Sequence, residues 1–347
     1  MARYSGLAAI ISLGLVASGP PAAGQPGDPL AYLRPTVEIS AADRQQIGAG
    51  RPLTLVLPAQ AREISVLVAT RVNADGDRLV RWIRRIVDLK NSSYVLAIGR
   101  FSHPPRLDDL AGLTLDKGDV AELETCRPND CGLKLSPIEI DELQRTPRRG
   151  RDFDDAQVQR AFRQIVLRRA EAYLRGGPSV VSGQVDSNRR PVTLDAAFAS
   201  LVGHTEFITR HVPGFADYLR RPPVTPMPGV ESFMYWSKEQ LAGKPSISVV
   251  HVSIARGGPG DGMPDVLAAG KLIFATHYVN ASVAYTALLR GAPGSANYLV
   301  YLNRSNLDLL DGRLGGLTRW VIQRRVRSEA GDLVRGLQRR LESGDPP

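Results

Sequence analysis

The sequence predicts an α+β fold in which a curved antiparallel sheet grips a long C-terminal helix and carries a helical insertion. Apolar, β-branched segments follow one another between Glu231 and Asn303, which is typical of strands. One amphipathic helical pattern, from about Gly312 to Leu341, ends the chain. An earlier segment, Arg62–Val72, has the same strand character, and we expect it to join the C-terminal strands in one sheet.

The amino terminus has the pattern of a secretory signal peptide. Arg3 supplies a positive charge, Gly6–Val16 is an apolar run, and small residues follow up to Gly24, after which we expect cleavage. Because the apolar run is shorter than the roughly 20 residues that span a bilayer, we prefer cleavage to an uncleaved membrane anchor. We therefore predict an exported bacterial protein, periplasmic or secreted, that loses residues 1–24.

Residues 25–50 are expected to form a linker or loosely docked arm, because they are rich in proline, alanine and glutamine. Residues 51–105 are expected to hold the first strand and helix of the α+β domain. The turn at Asp75-Gly76-Asp77 precedes a helical repeat of apolar residues that begins at Leu79 and ends near Asn91, so we predict that this turn caps the helix. Tyr94–Phe101 predicts a short strand.

Residues 106–228 are predicted to be a helical insertion in the sheet. Phe153–Leu174 is a helical pattern that stops at the Gly-Gly-Pro sequence after it, and Leu194–Leu219 gives one or two more helices. The proline-rich stretch Arg220–Pro228 predicts an extended connection back to the sheet.

The only two cysteines, Cys126 and Cys131, lie within this insertion. In an oxidising compartment they predict a disulfide that closes a tight turn. Half of a metal site is a rival interpretation, but no second cysteine pair or histidine cluster completes it. A catalytic redox pair normally has two intervening residues rather than four. We therefore predict a structural disulfide, no metal and no cofactor.

Residues 229–347 are predicted to hold the antiparallel strands and the C-terminal helix of the α+β domain. The strand segments are Ser232–Gln240, Ser246–Ile254, Val266–Val279, Ala281–Leu289 and Asn297–Asn303. The helix is expected to bury one apolar stripe made of Leu314, Leu317, Val321, Leu333, Leu337 and Leu341. The paired glycines at 315 and 316 indicate that the helix begins there.

The formal charge of +9 does not by itself indicate nucleic-acid binding. Lysine accounts for six of the 44 basic residues, so arginine supplies the other 38, and these are spread among acidic residues over many helical segments. Export would also separate the protein from nucleic acids. We therefore predict no nucleic-acid partner, and a cationic surface suited to an anionic envelope surface.

The densest group of polar and aromatic residues lies on the predicted strands. We take its members as candidates for ligand binding: Tyr235, Trp236, Lys238, Glu239, His251, His277, Tyr278, Asn280, Asn303 and Arg304. Because alternate residues of a strand share a face, Tyr235 and Glu239 are expected on one side of their strand, and Trp236 and Lys238 on the other. The same rule sets His277 opposite Tyr278 and Asn280. Each of these residues could instead face outward from the sheet.

The order of elements, a strand and helix followed by antiparallel strands and a long final helix, resembles the helix-grip fold of START and polyketide-cyclase-like proteins. This resemblance covers about half of the chain and implies a hydrophobic cavity between sheet and final helix. The whole chain is also similar to an uncharacterised family of exported bacterial proteins, on the strength of Cys126–Cys131, Glu231–Lys238, His277–Asn280 and Tyr301–Ser305. That family supplies no reaction to carry over.

These observations predict an exported soluble protein that binds a hydrophobic or amphipathic ligand, such as a lipid, between the sheet and the C-terminal helix. One alternative is an enzyme on the same scaffold, with His277 or His251 as general base beside Tyr235 or Tyr278. Another is a cationic protein that interacts with the cell envelope through its arginine-rich helices. No His-Glu-x-x-His, Walker or dinucleotide-binding pattern occurs in the sequence.

Overall fold

The computed structural model describes residues 28–343, except residues 61, 129, 150–151, 154, 178–192, 222, 242, 259–261 and 311–314. The predicted signal peptide, residues 1–24, lies outside the described residues. Within them, no helix is both long and apolar enough to cross a membrane.

The strands are β1 (Leu53–Leu57), β2 (Glu63–Val72), β3 (Val95–Arg100), β4 (Arg148–Arg149), β5 (Asp152–Phe153), β6 (Val230–Leu241), β7 (Lys244–Arg256), β8 (Val266–Ala275), β9 (Val279–Leu289) and β10 (Asn297–Leu307). The helices are α1 (Ala41–Gly48), α2 (Gly76–Arg84), α3 (Ile86–Leu89), α4 (Lys117–Glu122), α5 (Pro137–Gln144), α6 (Asp155–Gly176), α7 (Leu194–Gly203), α8 (Glu206–His211), α9 (Pro213–Arg220) and α10 (Gly315–Glu342).

Eight of the strands form one curved antiparallel sheet in the order β1–β2–β10–β9–β8–β7–β6–β3. The early strand β2 lies between β1 and β10, with Leu67 opposite Leu302 in the β10 pairing. The prediction that Arg62–Val72 joins the C-terminal strands is therefore confirmed. The fold is a mixed α+β arrangement with a C-terminal helix, whereas the predicted domain boundaries stay predictions.

Helices cover both faces of the sheet, so β2 carries apolar residues on both sides. Val66 and Val68 point to the face that packs against α2, α3 and α10, which we call the α10 face. Leu67 and Ala69 point to the opposite face, which packs against α1 and α5–α9. Apolar runs without alternation are expected of strands that are buried on both sides.

The N-terminal elements follow local sequence signals. The Asp75 carboxylate accepts a hydrogen bond from the Arg78 backbone N–H at 2.7 Å, so the predicted cap of α2 is confirmed. Leu33 and Ile47, in the segment predicted to be a linker, are fully buried. The described part of that segment therefore contributes to the core.

The C-terminal helix packs on β1 and β2 mainly through its C-terminal half, where Ala330, Val334, Leu337 and Leu341 are buried. The predicted stripe is wrong at Val321 and Leu333, which are 51 % and 45 % exposed. Positions 322, 326, 330, 334, 337 and 341 follow one another at steps of three or four residues, and Val321 and Leu333 each lie one residue off this line. The side chains of Leu314 and Leu317 lie outside the described residues.

Candidate functional site

The central strands leave part of the α10 face open to solvent. Along β9, Ser282, Ala284 and Thr286 are partly exposed, whereas the alternate residues Val283 and Tyr285, which point to the opposite face, are buried. This alternation means that only one side of the strand lacks a complete cover.

The same alternation continues across the neighbouring strands. Tyr301, Asn303 and Ser305 of β10 are partly exposed. Val250 of β7 and Gly270 of β8 are also partly exposed. Ala284 lies between Gly270 and Asn303 in register, so the exposed positions adjoin one another. We call this continuous patch the groove, made of Val250, Gly270, Ser282, Ala284, Thr286, Tyr301, Asn303 and Ser305.

The groove lies between the elements that cover the α10 face. The helix α10 packs on β1 and β2, whereas α2 and α3 pack against β8 and β3. In the N-terminal half of α10, no residue from Thr318 to Glu329 is buried. This half of the helix is therefore more loosely packed on the sheet than the C-terminal half.

A charged pair stands at the β6 end of the α10 face. The Lys90 ammonium, just after α3, lies 2.6 Å from Glu239 Oε1 and 3.4 Å from the Tyr235 hydroxyl. Ser237 donates a hydrogen bond to the same Glu239 oxygen at 2.7 Å. We call Lys90, Tyr235, Ser237 and Glu239 the polar cluster.

The polar cluster is charged but balanced. Burial favours the neutral forms of Lys90 and Glu239, but their mutual attraction outweighs it, so the pKa of Lys90 is raised and the pKa of Glu239 is lowered. Burial raises the pKa of Tyr235, which therefore keeps its proton. At neutral pH the cluster presents one cation, one anion and a protonated phenol whose oxygen accepts a hydrogen bond from Lys90.

Tyr301 connects the polar cluster to the groove. Burial, modified by the charges of Lys90 and Glu239, raises the pKa of Tyr301 to about 12. Beyond it, the Asn303 amide donates to Ser282 at 3.2 Å, and its oxygen accepts from Ser305 at 2.8 Å. The groove therefore has a row of hydrogen-bonding groups beside its small and apolar residues.

Of the residues predicted to bind a ligand, Tyr235, Glu239 and Asn303 lie together on the α10 face. Trp236 and Lys238 point to the opposite face, as the alternation predicts. There the Trp236 indole donates to the Asp109 carbonyl, and Lys238 donates to the Thr114 carbonyl, both at 2.8 Å.

Two further predicted residues, His251 and Arg304, are buried on the opposite face of the sheet. His251 Nδ1 lies 2.9 Å from the Tyr173 hydroxyl, and Arg304 lies 3.8 Å from Glu63. The interpretation that His251 is a general base beside Tyr235 is therefore wrong, because the sheet lies between the two side chains.

The expected strand alternation at His277 and Tyr278 is also wrong, because both residues lie in the bend between β8 and β9, where Tyr278 has a φ of 59°. His277 Nδ1 lies 2.8 Å from the Gly132 carbonyl, and Nε2 lies 3.1 Å from the Asp119 carboxylate. Both ring nitrogens therefore already have a polar partner. Neither nitrogen is free to act as a base toward Tyr278.

The remaining predicted contacts are structural. Asn280 accepts from Lys134 at 2.7 Å and donates to Asn306 at 2.9 Å. Cys126 and Cys131 form the predicted disulfide, with their Cα atoms 4.6 Å apart. The turn that they close is followed by Gly132, which His277 holds against the sheet.

Sequence reasoning missed Lys90, Ser282 and Ser305. Ser282 and Ser305 interrupt apolar strands at alternate positions, a pattern that a residue-by-residue assignment of faces could have found. Lys90 carries no such signal, because its position depends on how α3 crosses the end of β6.

No cluster of three or more histidine, cysteine, aspartate or glutamate residues suited to a metal ion is found in the described part of the chain.

No protein-family model matches the chain, and no curated protein matches it. Among solved structures, a START superfamily protein from Mycobacterium smegmatis is 10 % identical over 31 % of this chain and 64 % of its own length, with a TM-score of 0.23. A protein from Thermus thermophilus is 14 % identical over 42 % of this chain and 90 % of its own, with a TM-score of 0.24. The chain thus spans less than two thirds of the first protein. At these TM-scores neither likeness carries an argument, and both family resemblances stay predictions.

Proposed function

We propose that the protein binds an amphipathic molecule, such as a lipid, in the groove. The observation that carries this proposal is the one-sided exposure of β9 and β10, where Ala284 and Asn303 are partly exposed while Val283 and Leu302 on the other face are buried. A partly exposed sheet face that lies between its covering helices offers apolar and hydrogen-bonding groups to which a ligand could bind.

The chemistry of the groove favours an uncharged polar group on the ligand. Lys90 and Glu239 neutralise each other, so a strongly anionic head would gain little from the lysine. Tyr235, Tyr301 and Asn303 offer donors and acceptors suited to a hydroxyl, ester or amide. Val250 and the small floor residues would contact the apolar part of the ligand.

We propose further that the protein acts outside the cytoplasm. The pattern of residues 1–24 and the disulfide between Cys126 and Cys131 support this proposal, because disulfides persist in oxidising compartments.

Filling the groove is expected to weaken binding. Ala284→Leu places a larger side chain on the floor between Gly270 and Asn303, so we expect the affinity for the neutral fluorescent probe N-phenyl-1-naphthylamine to fall at least about tenfold, on the order of 1.4 kcal/mol. A fluorescence titration gives the affinity. Mass spectrometry of an organic extract of the purified protein is expected to identify an amphipathic ligand in the wild type and less of it in the variant.

The matched control is Ala42→Leu, which adds the same side chain at an exposed position of α1. It is expected to bind the probe as the wild type does. Equal probe binding by the Ala284→Leu variant, in a chain with native circular dichroism, would exclude the groove as the binding site.

A second candidate function is contact with an anionic envelope surface. Trp320 and Val321 are more than half exposed on α10, and the Arg324 guanidinium lies 5.8 Å from the Trp320 ring centre. Exposed aromatic and aliphatic residues beside arginines suit the interface of an anionic bilayer. The two functions are compatible, because a protein that exchanges lipid must meet a lipid surface.

A further inference from the structure

A second site, a small and partly open cavity, lies on the opposite face of the sheet, where Lys271 of β8 and His251 of β7 are direct cross-strand neighbours. Both side chains are buried and line a cavity of about 10 Å³, roughly the room that one water molecule needs. The other lining residues are Tyr173, Tyr218, Leu219, Arg221, Pro223 and Ser253. This site shares no residue with the groove and does not depend on the ligand proposed there.

Lys271 is held in this site by neutral groups. Its ammonium nitrogen donates to the Leu219 carbonyl at 2.9 Å and lies 4.0 Å from the centre of the Phe198 ring. No ion pair to Lys271 is found among the described residues. A lysine that is buried without a carboxylate partner is unusual and is often chemically active.

The electrostatics of the site favour an uncharged amine. Burial lowers the pKa of Lys271 to about 7, and the Asp195 carboxylate on α7 opposes this shift only in part. Arg221 and His251 are the other basic groups that line the cavity. At neutral pH a large share of the Lys271 amines therefore carries a free electron pair.

A neutral acid–base pair stands beside this amine. Burial, with a smaller effect of Lys271, lowers the pKa of His251 to about 4, and burial raises the pKa of Tyr173. Both groups are therefore neutral at pH 7. The Tyr173 hydroxyl and His251 Nδ1 share a hydrogen bond of 2.9 Å.

We propose that Lys271 is a carbonyl-reactive amine that forms a Schiff base with a small aldehyde or 2-oxo acid. The cavity has room for about one water molecule, so even the smallest members of this class must part the cavity wall to reach Lys271. Arg221 in that wall favours a substrate with a carboxylate.

The step balances without an oxidant or a reductant. The Lys271 nitrogen bonds to the carbonyl carbon, the C=O electron pair moves to oxygen, and one amine proton passes to that oxygen to give a carbinolamine. The carbinolamine then loses its hydroxyl with the second amine proton as water, which leaves the C=N bond. Tyr173 and His251, which line the same cavity, are the positioning residues that we propose to assist these proton transfers.

Reductive trapping tests the proposal. The full-length protein is incubated with glyoxylate and sodium cyanoborohydride at pH values from 6 to 10. The added hydride converts any imine to a stable amine. Peptide mass spectrometry then gives the amount of this adduct on each of the six lysines. We expect Lys271 to react at least about tenfold faster at pH 7 than the exposed Lys117, since an ordinary lysine, with a pKa near 10.4, is almost fully protonated there. The preference is expected to shrink toward pH 10.

Three variants complete the test. Lys271→Arg is expected to lose the fast adduct, whereas the control Lys238→Arg keeps it. Tyr173→Phe is expected to lower the rate of adduct formation at Lys271 and to leave the pH midpoint of that rate unchanged. A purely structural role for Tyr173 would not predict this combination. Trapping of Lys271 no faster than of Lys117, in a chain with native circular dichroism, would overturn the proposal, and an unchanged rate in Tyr173→Phe would overturn the role proposed for Tyr173.

Discussion

At the scale of single residues, two buried bases make the folded protein sensitive to acid. The folded-state pKa of Lys271 is about 7 against an ordinary value of 10.5, and that of His251 is about 4 against 6.5. Both shifts are downward, so the unfolded chain binds more protons than the folded chain between each pair of values. Stability from Lys271 therefore falls as the pH drops from 10.5 to 7, and stability from His251 falls between pH 6.5 and pH 4.

We expect the free energy of unfolding to fall by about 2–3 kcal/mol between pH 9 and pH 6 because of Lys271 alone. Lys271→Met removes the titrating amine and keeps an apolar side chain of similar length, so this part of the pH dependence should disappear. The loss that is due to His251 below pH 6.5 should remain. Urea unfolding at each pH, followed by circular dichroism, measures both. If Lys271→Met and wild type kept parallel profiles between pH 9 and pH 6, the amine would be charged in the folded protein.

The sequence predicts the face of the sheet on which a side chain lies only where the periodicity of a regular strand decides it. Tyr235 and Glu239 share a face, and Trp236 and Lys238 share the other, because β6 is regular over that stretch. The prediction for His277 and Tyr278 is wrong because a bend replaces the strand there. The neighbours of a residue in a bend depend on tertiary contacts. Lys271 interrupts the apolar strand β8, but its burial against α7 and α9 depends on tertiary packing that the strand pattern does not give.

At the scale of elements, α10 combines a packed half and a loosely packed half. The C-terminal half is fixed by buried Val334, Leu337 and Leu341, whereas Ile322 and Val326 are only partly buried. The sequence predicted the existence and the start of this helix, because its length and its paired glycines are local features. It did not predict which of two adjacent apolar residues faces the sheet, since Val321 and Ile322 fit a helical stripe equally well until the packing partner is known.

The same substitution at two positions of α10 tests this assignment. Leu337→Ala is expected to lower the free energy of unfolding by about 2–4 kcal/mol, because it opens a cavity against the sheet. Leu333→Ala, at a position that is 45 % exposed, should cost less than about 1 kcal/mol. Urea unfolding of both variants gives the comparison. Equal losses would mean that α10 is rotated from the orientation described.

At the scale of the whole molecule, one sheet separates two sites of different chemistry. The α10 face holds the groove, which is open, balanced in charge and lined with hydroxyl groups. The opposite face holds the small cavity lined by Lys271, His251 and Tyr173. The chain order produces this arrangement, because β2 pairs with β10 within the same sheet and the helices between β3 and β6 cover one face only.

The cationic surface of the whole chain, together with Trp320, is expected to bring the protein to anionic lipid. With a formal charge of +9, the full-length protein should co-sediment with vesicles that contain phosphatidylglycerol at low salt, and lose most of that binding when salt shortens the range of the attraction. Trp320→Ala should weaken binding several-fold, because it removes the most exposed aromatic side chain of α10. Ile138→Ala, which removes a side chain that is 79 % exposed on α5, is the control and should bind as the wild type does. Vesicle binding that is equal at low and high salt, or equal in the Trp320→Ala and Ile138→Ala variants, would exclude α10 as the surface that meets the envelope. The groove proposal would not be affected, because the probe titration with Ala284→Leu tests it separately.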